Sequence, residues 1–265
     1  MRHSILIMHQ AITKIQEMYN AADGILILAG AGMGVDSGIP DFRGKSGIWS
    51  EAKTNFLKFA SAASFNTIPL EAWNFYITRL IAYTKFEPHQ GYYDLLTLEK
   101  DVFVITSNVD GQFEKAGYAL DKTMEIHGDL RTIQCMRKCN RNTHAMPSFT
   151  SIITTVKDIP VCSKCGSYMR PQVMMFNDPL FLFNKVDDQA DRFREWRDSK
   201  TNILGIEIGA GTVVPSIRLM GQEHTAALIR INPHDTDITR NTDVTIPETA
   251  VNGIALLLKI LKETL

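Results

Sequence analysis

Apolar residues along the chain follow two patterns, which together predict alternating strands and helices. Short, nearly continuous apolar runs are typical of buried parallel strands and occupy residues 24–29, 102–106, 202–208, 227–232 and 243–246. Apolar residues at helical spacing predict helices within residues 7–20, 49–83, 89–100 and 253–265. Strands that alternate with helices form parallel sheets, so the pattern predicts an α/β fold with a doubly wound parallel sheet of Rossmann type.

A glycine-rich segment follows the first predicted strand. Gly30, Ala31 and Gly32 come directly after it, and glycine lets backbone N–H groups approach a pyrophosphate closely. Gly38 and Pro40 then interrupt any helix that would follow. The segment therefore predicts a dinucleotide site, followed by a loop that presents an acid, an aromatic ring and a base: Asp41, Phe42 and Arg43.

Small and polar residues also follow three of the later strands. In a doubly wound sheet, the ligand crevice lies beyond the carboxyl ends of the strands. The residues at these ends are therefore expected to converge on the same site, and they are Ser107, Asn108, Gly209, Ala210, Gly211 and Asn232.

The periodicity is lost between about residues 129 and 171, and all four cysteines lie in this segment. Three residues separate Cys135 from Cys139, and two separate Cys162 from Cys165. Such spacing predicts four thiolates around a structural Zn²⁺, with no open position for a water. Reduced cysteines in an ordinary core are the alternative, and His144 is a further candidate ligand. A short strand over residues 151–156 is also predicted here.

Composition narrows the possible functions. The 265 residues are 45% hydrophobic and carry a formal net charge of −1, without a run of lysine and arginine. This charge gives no basic field for nucleic acid, and no apolar stretch approaches the roughly 20 residues of a membrane span. We therefore expect a cytoplasmic protein that has neither nucleic acid nor a membrane as partner. The sequence does not specify the oligomeric state.

Taken in order, the motifs resemble those of the sirtuins, a family of NAD-dependent protein deacylases. The resemblance covers nearly the whole chain. It rests on the four cysteines and on residues 30–32, 37–43, 106–110, 126–128, 170–176, 209–215 and 231–232. On these motifs the chain is identified as a divergent, bacterial-type member.

The resemblance implies a two-domain architecture with a cleft that admits NAD, as co-substrate, and an acyl-lysine protein or peptide. The large Rossmann-type domain would comprise residues 1–44, 96–128 and 176–265. The smaller domain would consist of a helical insertion, residues 45–95, and the structural zinc module, residues 129–175.

The resemblance also implies roles for individual residues. His127 would be the general base that accepts a proton from a ribose hydroxyl, a role that imidazole suits near neutral pH. Asn108 would be a second catalytic residue, in the nicotinamide and ribose pocket. Residues expected to contact NAD are Gly30, Ala31, Gly32, Asp41, Phe42, Arg43, Ser107, Asn108, Asp110, Gly209, Ala210, Gly211 and Asn232. A substrate peptide would lie as an added strand between two edges, marked by Val173 and Phe176 and by Val213 and Val214.

The chain departs from the family pattern at several site positions. Ser107 stands where the family has glutamine, and Gly34 where it has a small hydroxyl residue. The Gly-Thr-Ser turn is replaced by residues 209–211, and Phe-Gly-Glu by residues 176–178. NAD binding is still expected, but two alternatives to deacylation stay open. One is ADP-ribosyl transfer or NAD hydrolysis, and the other is an NAD-sensing module with weak catalysis.

The acyl group is the least specified part of the expected substrate. The helical insertion is expected to lack the Tyr and Arg pair with which the family holds an acidic acyl group. Succinyl and malonyl groups are therefore weakly disfavoured.

Overall fold

The computed structural model describes residues 2–40 and 58–263. The strands within these residues are β1 (Gly24–Ala29), β2 (Asp101–Thr106), β3 (Thr123–Glu125), β4 (Gly128–Cys135), β5 (Thr143–Ala145), β6 (Met169–Val173), β7 (Ile203–Ile208), β8 (Ala227–Ile231) and β9 (Val244–Ile246). The helices wholly within them are α1 (Arg2–Ala21), α2 (Ser64–Thr67), α3 (Pro69–Tyr83), α4 (Gln90–Leu95), α5 (Gln112–Lys115), α6 (Asn184–Asp198), α7 (Ser216–His224) and α8 (Ala250–Lys262). Among the described residues, no helix is long and apolar enough to cross a membrane.

The larger sheet has six parallel strands in the order β3-β2-β1-β7-β8-β9. The chain first builds outward from β1 through β2 to β3. It later returns to the other side of β1 and builds outward again through β7, β8 and β9. The strand order therefore reverses between β1 and β7, and ligands bind at such a reversal in open α/β sheets.

The side chains of β1 alternate between two apolar layers that cover the sheet. Ile25 and Ile27 pack on one face with residues of α1, α4 and α8. Leu26 and Leu28 pack on the other face with residues of α6 and α7. Because both faces are covered, the strand is apolar throughout, which explains its continuous hydrophobic run.

A second, antiparallel sheet of three strands, in the order β5-β4-β6, supports the cysteine-containing segment. Its apolar side packs against α3, where Trp73 is fully buried and donates from Nε1 to the Met169 carbonyl at 3.1 Å. Pro69 occupies the first turn of α3, as expected for a residue without an N–H group.

The structure confirms the predicted fold class and corrects several elements. The predicted strands of the large sheet are present, whereas the helix predicted over 89–100 is limited to Gln90–Leu95. The strand predicted over 151–156 is wrong, because residues 151–155 have no regular structure and Val156–Asp158 is a 3₁₀ helix. Strands β3, β4, β5 and β6 and helices α5, α6 and α7 were not predicted from the sequence.

Candidate active site

The turn after β1 is held by backbone contacts with the turn after β7. The Gly30 N–H donates to the Ile208 carbonyl at 2.9 Å, and the Gly32 N–H donates to the Gly209 carbonyl at 3.0 Å. A Cβ on Gly30 would lie 2.6 Å from the Cα of Ala210, and one on Gly32 would lie 2.7 Å from the Cα of Gly209. Glycine is therefore required for the two turns to meet at this distance.

A short 3₁₀ helix, Ala31–Ser37, follows β1 in place of a long α-helix. It ends at Gly38, whose φ of 88° is left-handed, in agreement with the interruption that the sequence predicts. The loop expected after it, with Asp41, Phe42 and Arg43, lies outside the described residues.

The turn after β7 is fixed by side chains from neighbouring elements. Gly209 has a left-handed φ of 61°. The carbonyl of Ala210 accepts from Asn232 Nδ2 at 3.1 Å and from Arg218 Nε at 3.2 Å. Asn232 Oδ1 also accepts from the backbone N–H groups of residues 234 and 235. Asn232 thus organises this edge of the crevice, whereas a Cβ on Gly211 would meet no atom within 4 Å.

Asn108 joins the ends of β1 and β2. Its Nδ2 donates to the Gly30 carbonyl at 3.0 Å, and its backbone N–H donates to Thr106 Oγ1 at 3.0 Å. The Ser107 N–H donates to the Ala29 carbonyl at 3.1 Å, which continues the β1–β2 pairing by one residue. The predicted polar residues after β2 therefore lie at the same edge as the glycine turns.

His127 lies after β3 and is oriented by the residue that follows β2. Its imidazole donates a hydrogen bond to the Ser107 backbone carbonyl. Burial lowers the pKa of His127, and this hydrogen bond only partly opposes the shift. The ring is therefore neutral at neutral pH, and the bond to Ser107 leaves its other nitrogen as a proton acceptor.

Asp110 is a half-buried residue beside the same strand ends. Burial raises its pKa to about 6, although Oδ1 accepts from the Gln112 N–H at 3.0 Å and this bond acts in the opposite direction. A Cβ on Gly34 would lie 3.4 Å from Asp110 Oδ2, which is ordinary contact distance. Gly34 and the Asp110 carboxyl group are thus direct neighbours.

A network of charged side chains, which sequence reasoning missed, supports the segment around His127. Glu125 and Asp129 are buried on either side of the histidine. Arg131 contacts them at 2.9 and 2.7 Å, and Lys185 from α6 contacts them at 2.8 and 3.0 Å. Arg131 also pairs with Glu114. The alternate spacing of Asp129 and Arg131 on β4 indicates a shared face, but only the fold brings Lys185 to them.

The segment after β6 runs beside His127. The Met174 N–H donates to the His127 carbonyl at 2.8 Å, and the Phe176 N–H donates to the Ala60 carbonyl at 3.1 Å. Val173 is buried at the end of β6, whereas the side chain of Phe176 is 44% exposed. Val213 and Val214, the other expected edge, are exposed on the loop that follows the β7 turn.

The four cysteines form one cluster. Their Sγ atoms lie within 4.8 Å of one another, and two of the Sγ–Sγ distances are 3.6 and 3.5 Å. Four sulfurs at Zn–S distances of about 2.3 Å would be roughly 3.8 Å apart in a tetrahedron, so the cluster fits a zinc ion. His144 is exposed on β5, outside this cluster.

The helical insertion contains a Tyr and Arg pair, contrary to expectation. Tyr76 and Arg79 lie one turn apart on α3 and interact electrostatically. Arg79 also interacts with Tyr83, whose pKa is raised by burial to about 12 and which interacts in turn with Asp110. The motif was present in the sequence as a Tyr three residues before an Arg. Tyr83 thus interacts with both the Arg79 guanidinium and the Asp110 carboxyl group.

Comparison with protein-family models matches the Sir2 family over residues 30–206. An NAD-dependent protein deacylase of Aquifex aeolicus is 31% identical over 245 residues, which cover 90% of this chain and 95% of that protein. An NAD-dependent protein deacetylase of Caldivirga maquilingensis is 31% identical over 246 residues, which cover 89% of this chain and 88% of that one.

Solved structures give the same relationship. A Sir2 homologue in complex with NAD has a TM-score of 0.70 and 26% identity, with 94% of this chain and 93% of that chain covered. A mutant Sir2 homologue in complex with ADP-ribose has a TM-score of 0.72 and 27% identity, with 94% and 96% covered.

The contact between the two turns predicts different effects for two neighbouring glycines. Gly209→Ala should lower the free energy of unfolding by about 1–3 kcal/mol or more, because of its positive φ and the Gly32 backbone 2.4 Å from the new Cβ. Gly211→Ala, with open space around it, should stay within about 0.5 kcal/mol of wild type. Urea unfolding measures both. Equal losses in the two variants would contradict the proposed constraint.

The cysteine cluster predicts a strict dependence of bound zinc on the four thiols. Cys139→Ser should lower the zinc content from about one ion per chain and decrease the melting temperature, because a structural zinc contributes directly to folding. Metal analysis and thermal unfolding measure these effects. His144→Ala is the matched control and should keep its zinc. Loss of zinc from His144→Ala would instead indicate that His144 is a zinc ligand.

Proposed function

The chain belongs to the Sir2 family, and on that premise we propose that it is an NAD-dependent protein-lysine deacylase. The observation that carries the proposal is the convergence of four predicted elements at one sheet edge. The Asn108 amide contacts the Gly30 carbonyl, the His127 ring contacts the Ser107 carbonyl, and the β1 and β7 turns contact each other.

NAD would supply ADP-ribose as the acceptor of the acyl group, with release of nicotinamide. We propose that the pyrophosphate lies against the backbone of Gly30, Ala31 and Gly32, where the two glycines permit close approach while their own N–H groups donate to the β7 turn. The adenosine end would lie against residues 209–211 and the loop that Asn232 holds. Phe42 and Arg43, together with Asp41, are proposed to complete the cofactor contacts.

His127 is the proposed general base. Its pKa is lowered by burial, so the ring is unprotonated at neutral pH and can accept a proton from a ribose hydroxyl. The Ser107 carbonyl holds one ring nitrogen, which directs the other nitrogen away from it. Asn108 is the proposed second catalytic residue and would hydrogen-bond substrate or cofactor groups in the nicotinamide pocket beside Asp110.

An acyl-lysine peptide is the proposed substrate, bound as an added strand. Val173 and Phe176 form the edge that runs past His127, and Val213 and Val214 would form the opposite edge. The exposed apolar side chains of Phe176, Val213 and Val214 support this placement.

ADP-ribosyl transfer or NAD hydrolysis is the second candidate function. Ser107 has a shorter side chain than the glutamine expected there, and Gly34 places no hydroxyl beside Asp110. A less completely bound ribose would leave room for water or another nucleophile.

We also propose the domain division given by the sequence, with one change. Tyr92 and Leu95 of α4 pack in the core of the large sheet beside α8. This packing supports ending the helical insertion before residue 90 instead of at residue 95. A cytoplasmic location is part of the same proposal.

The reaction products distinguish the candidate functions. Incubation with NAD and an acetyl-lysine peptide should yield O-acetyl-ADP-ribose by mass spectrometry, and His127→Ala should lower the rate at least about 100-fold. The wild-type rate should be constant above neutral pH and fall as the pH drops through the lowered pKa of His127. His144→Ala, which changes an exposed histidine on β5, should behave as wild type.

Other product patterns would contradict deacylation. Free ADP-ribose formed without peptide would indicate NAD hydrolysis, and a gain of ADP-ribose mass on protein would indicate transfer. Measurable NAD affinity without turnover would favour the sensing module.

The Tyr76 and Arg79 pair supports acceptance of an acidic acyl group. A succinyl carboxylate would gain from a charge-assisted hydrogen bond with Arg79 that an acetyl group cannot make. Arg79→Met should therefore lower kcat/KM for a succinyl peptide by about tenfold relative to an acetyl peptide. The exposed Arg194→Met on α6 is the control and should leave the ratio unchanged. An equal fall for both peptides would assign Arg79 a structural role only.

A further inference from the structure

His89 connects the 3₁₀ helix of the proposed cofactor site to α4. Its Nδ1 accepts from the Gly91 backbone N–H at 3.0 Å, which makes it the N-cap of α4. Its Nε2 lies 2.8 Å from the Met33 carbonyl oxygen, and its backbone N–H donates to Ser37 Oγ at 2.9 Å. One residue thus contacts the middle and the end of the 3₁₀ helix.

The two ring contacts are compatible with one protonation state. A backbone N–H is always a donor, so Nδ1 must accept, and a carbonyl oxygen is always an acceptor, so Nε2 must carry the hydrogen. The neutral imidazole with its proton on Nε2 satisfies both. A second proton on Nδ1 would point at the Gly91 N–H and remove the cap.

The segment that His89 contacts is part of the crevice. Met33 is fully buried in the core layer of the sheet, and Asp36 Oδ2 accepts from the Val251 N–H at the start of α8, at 2.8 Å. Gly32, immediately before Met33, reaches the β7 turn through its N–H group. A displacement at the Met33 carbonyl would therefore be passed directly to the backbone that approaches the cofactor.

We propose that His89 is a positioning residue for the cofactor site, whose neutral imidazole holds the 3₁₀ helix in the geometry that binds NAD and whose protonation weakens NAD binding. The proposal rests on the NAD-binding role proposed above for Gly30, Ala31 and Gly32. His89 acts through the Met33 carbonyl and the α4 cap and has no assigned contact with NAD.

Burial lowers the pKa of His89 from its usual value near 6.5, and the bond to the Met33 carbonyl partly opposes this shift. Two carboxylates oppose it further, Asp36 from the 3₁₀ helix and Asp94 from α4. The native state therefore binds this proton more weakly than the unfolded chain does. The contacts are present at neutral pH and are lost as the pH falls through the lowered pKa of His89.

Two other neighbours of His89 among the described residues are an aromatic ring and an apolar side chain. The Tyr92 ring of α4 lies 4.8 Å from the imidazole, centroid to centroid. From α8, the side chain packed at the cap is Ile254, which lies beside Gly91.

The test compares the wild-type chain with His89→Asn from about pH 7.5 to about pH 4.5, a range that extends well below the ordinary histidine pKa because burial lowers that of His89. Asparagine is a good N-cap residue but does not titrate. One readout is hydrogen exchange of residues 31–37 and 90–95 without NAD, corrected for the intrinsic effect of pH. The other is the Kd for NAD at equilibrium. His127 and Asp110 titrate in both proteins, so their effects cancel in the ratio of the two.

We expect two quantities to rise by about fivefold from neutral to acidic pH: the ratio of exchange rates and the ratio of Kd values for NAD, each wild type over variant. A change of this size is what a lost cap produces. Ratios that stay constant with pH would overturn the proposal. Absence of NAD binding by both proteins at neutral pH would instead overturn the proposed function, while the exchange ratio would still decide the role of His89. His89→Ser, another capping residue, serves if His89→Asn does not fold.

Discussion

The backbone contact between the turns after β1 and β7 is the constraint on which the rest of the site depends. The two strands are neighbours in the sheet, so their ends emerge side by side. Two backbone hydrogen bonds, from Gly30 and Gly32, bring the turns together without side chains between them. Asn108 then closes the third side through the Gly30 carbonyl. The concave backbone surface exists because the sheet order reverses here and because glycine occupies both turns.

Buried charge pairs hold the elements around this edge in place. Arg230 on β8 contacts Glu207 on β7 at 2.6 Å, and both are almost fully buried within the parallel sheet. Removing one partner of such a pair leaves an uncompensated charge and costs about 3–5 kcal/mol, whereas the pair itself adds little net stability. The ion pair therefore acts mainly by aligning β7 with β8. Glu207 and Arg230 are also directly paired in the strand register, immediately below the turn that carries Ala210.

The elements that could be predicted from the sequence are those whose local pattern of apolar residues directly reflects their burial in the fold. Buried parallel strands are apolar at every position, so β1 and β7 could be located within one residue. Helix α6 could not, because its sequence is mostly charged and only Val186, Gln189, Phe193 and Trp196 turn inward. The run at 151–156 has the composition of a strand, yet its residues are mostly exposed and no neighbouring strand pairs with them among the described residues. The network of Glu125, Asp129, Arg131 and Lys185 joins separate elements, which no single local pattern contains.

The departures from the family pattern have unequal physical consequences. Where glycine and glutamate are expected, Asn177 adopts a left-handed φ of 51°, which asparagine tolerates, and Asp178 pairs with the buried Arg170 at 2.7 Å. These two changes therefore preserve the local structure. Gly34 is different, because the space beside it would accept a Cβ at ordinary contact distance from Asp110 and Ile39. Packing does not demand glycine there. The departure at Gly34 thus leaves no polar side chain at that position beside the Asp110 carboxyl group, without any demand from packing.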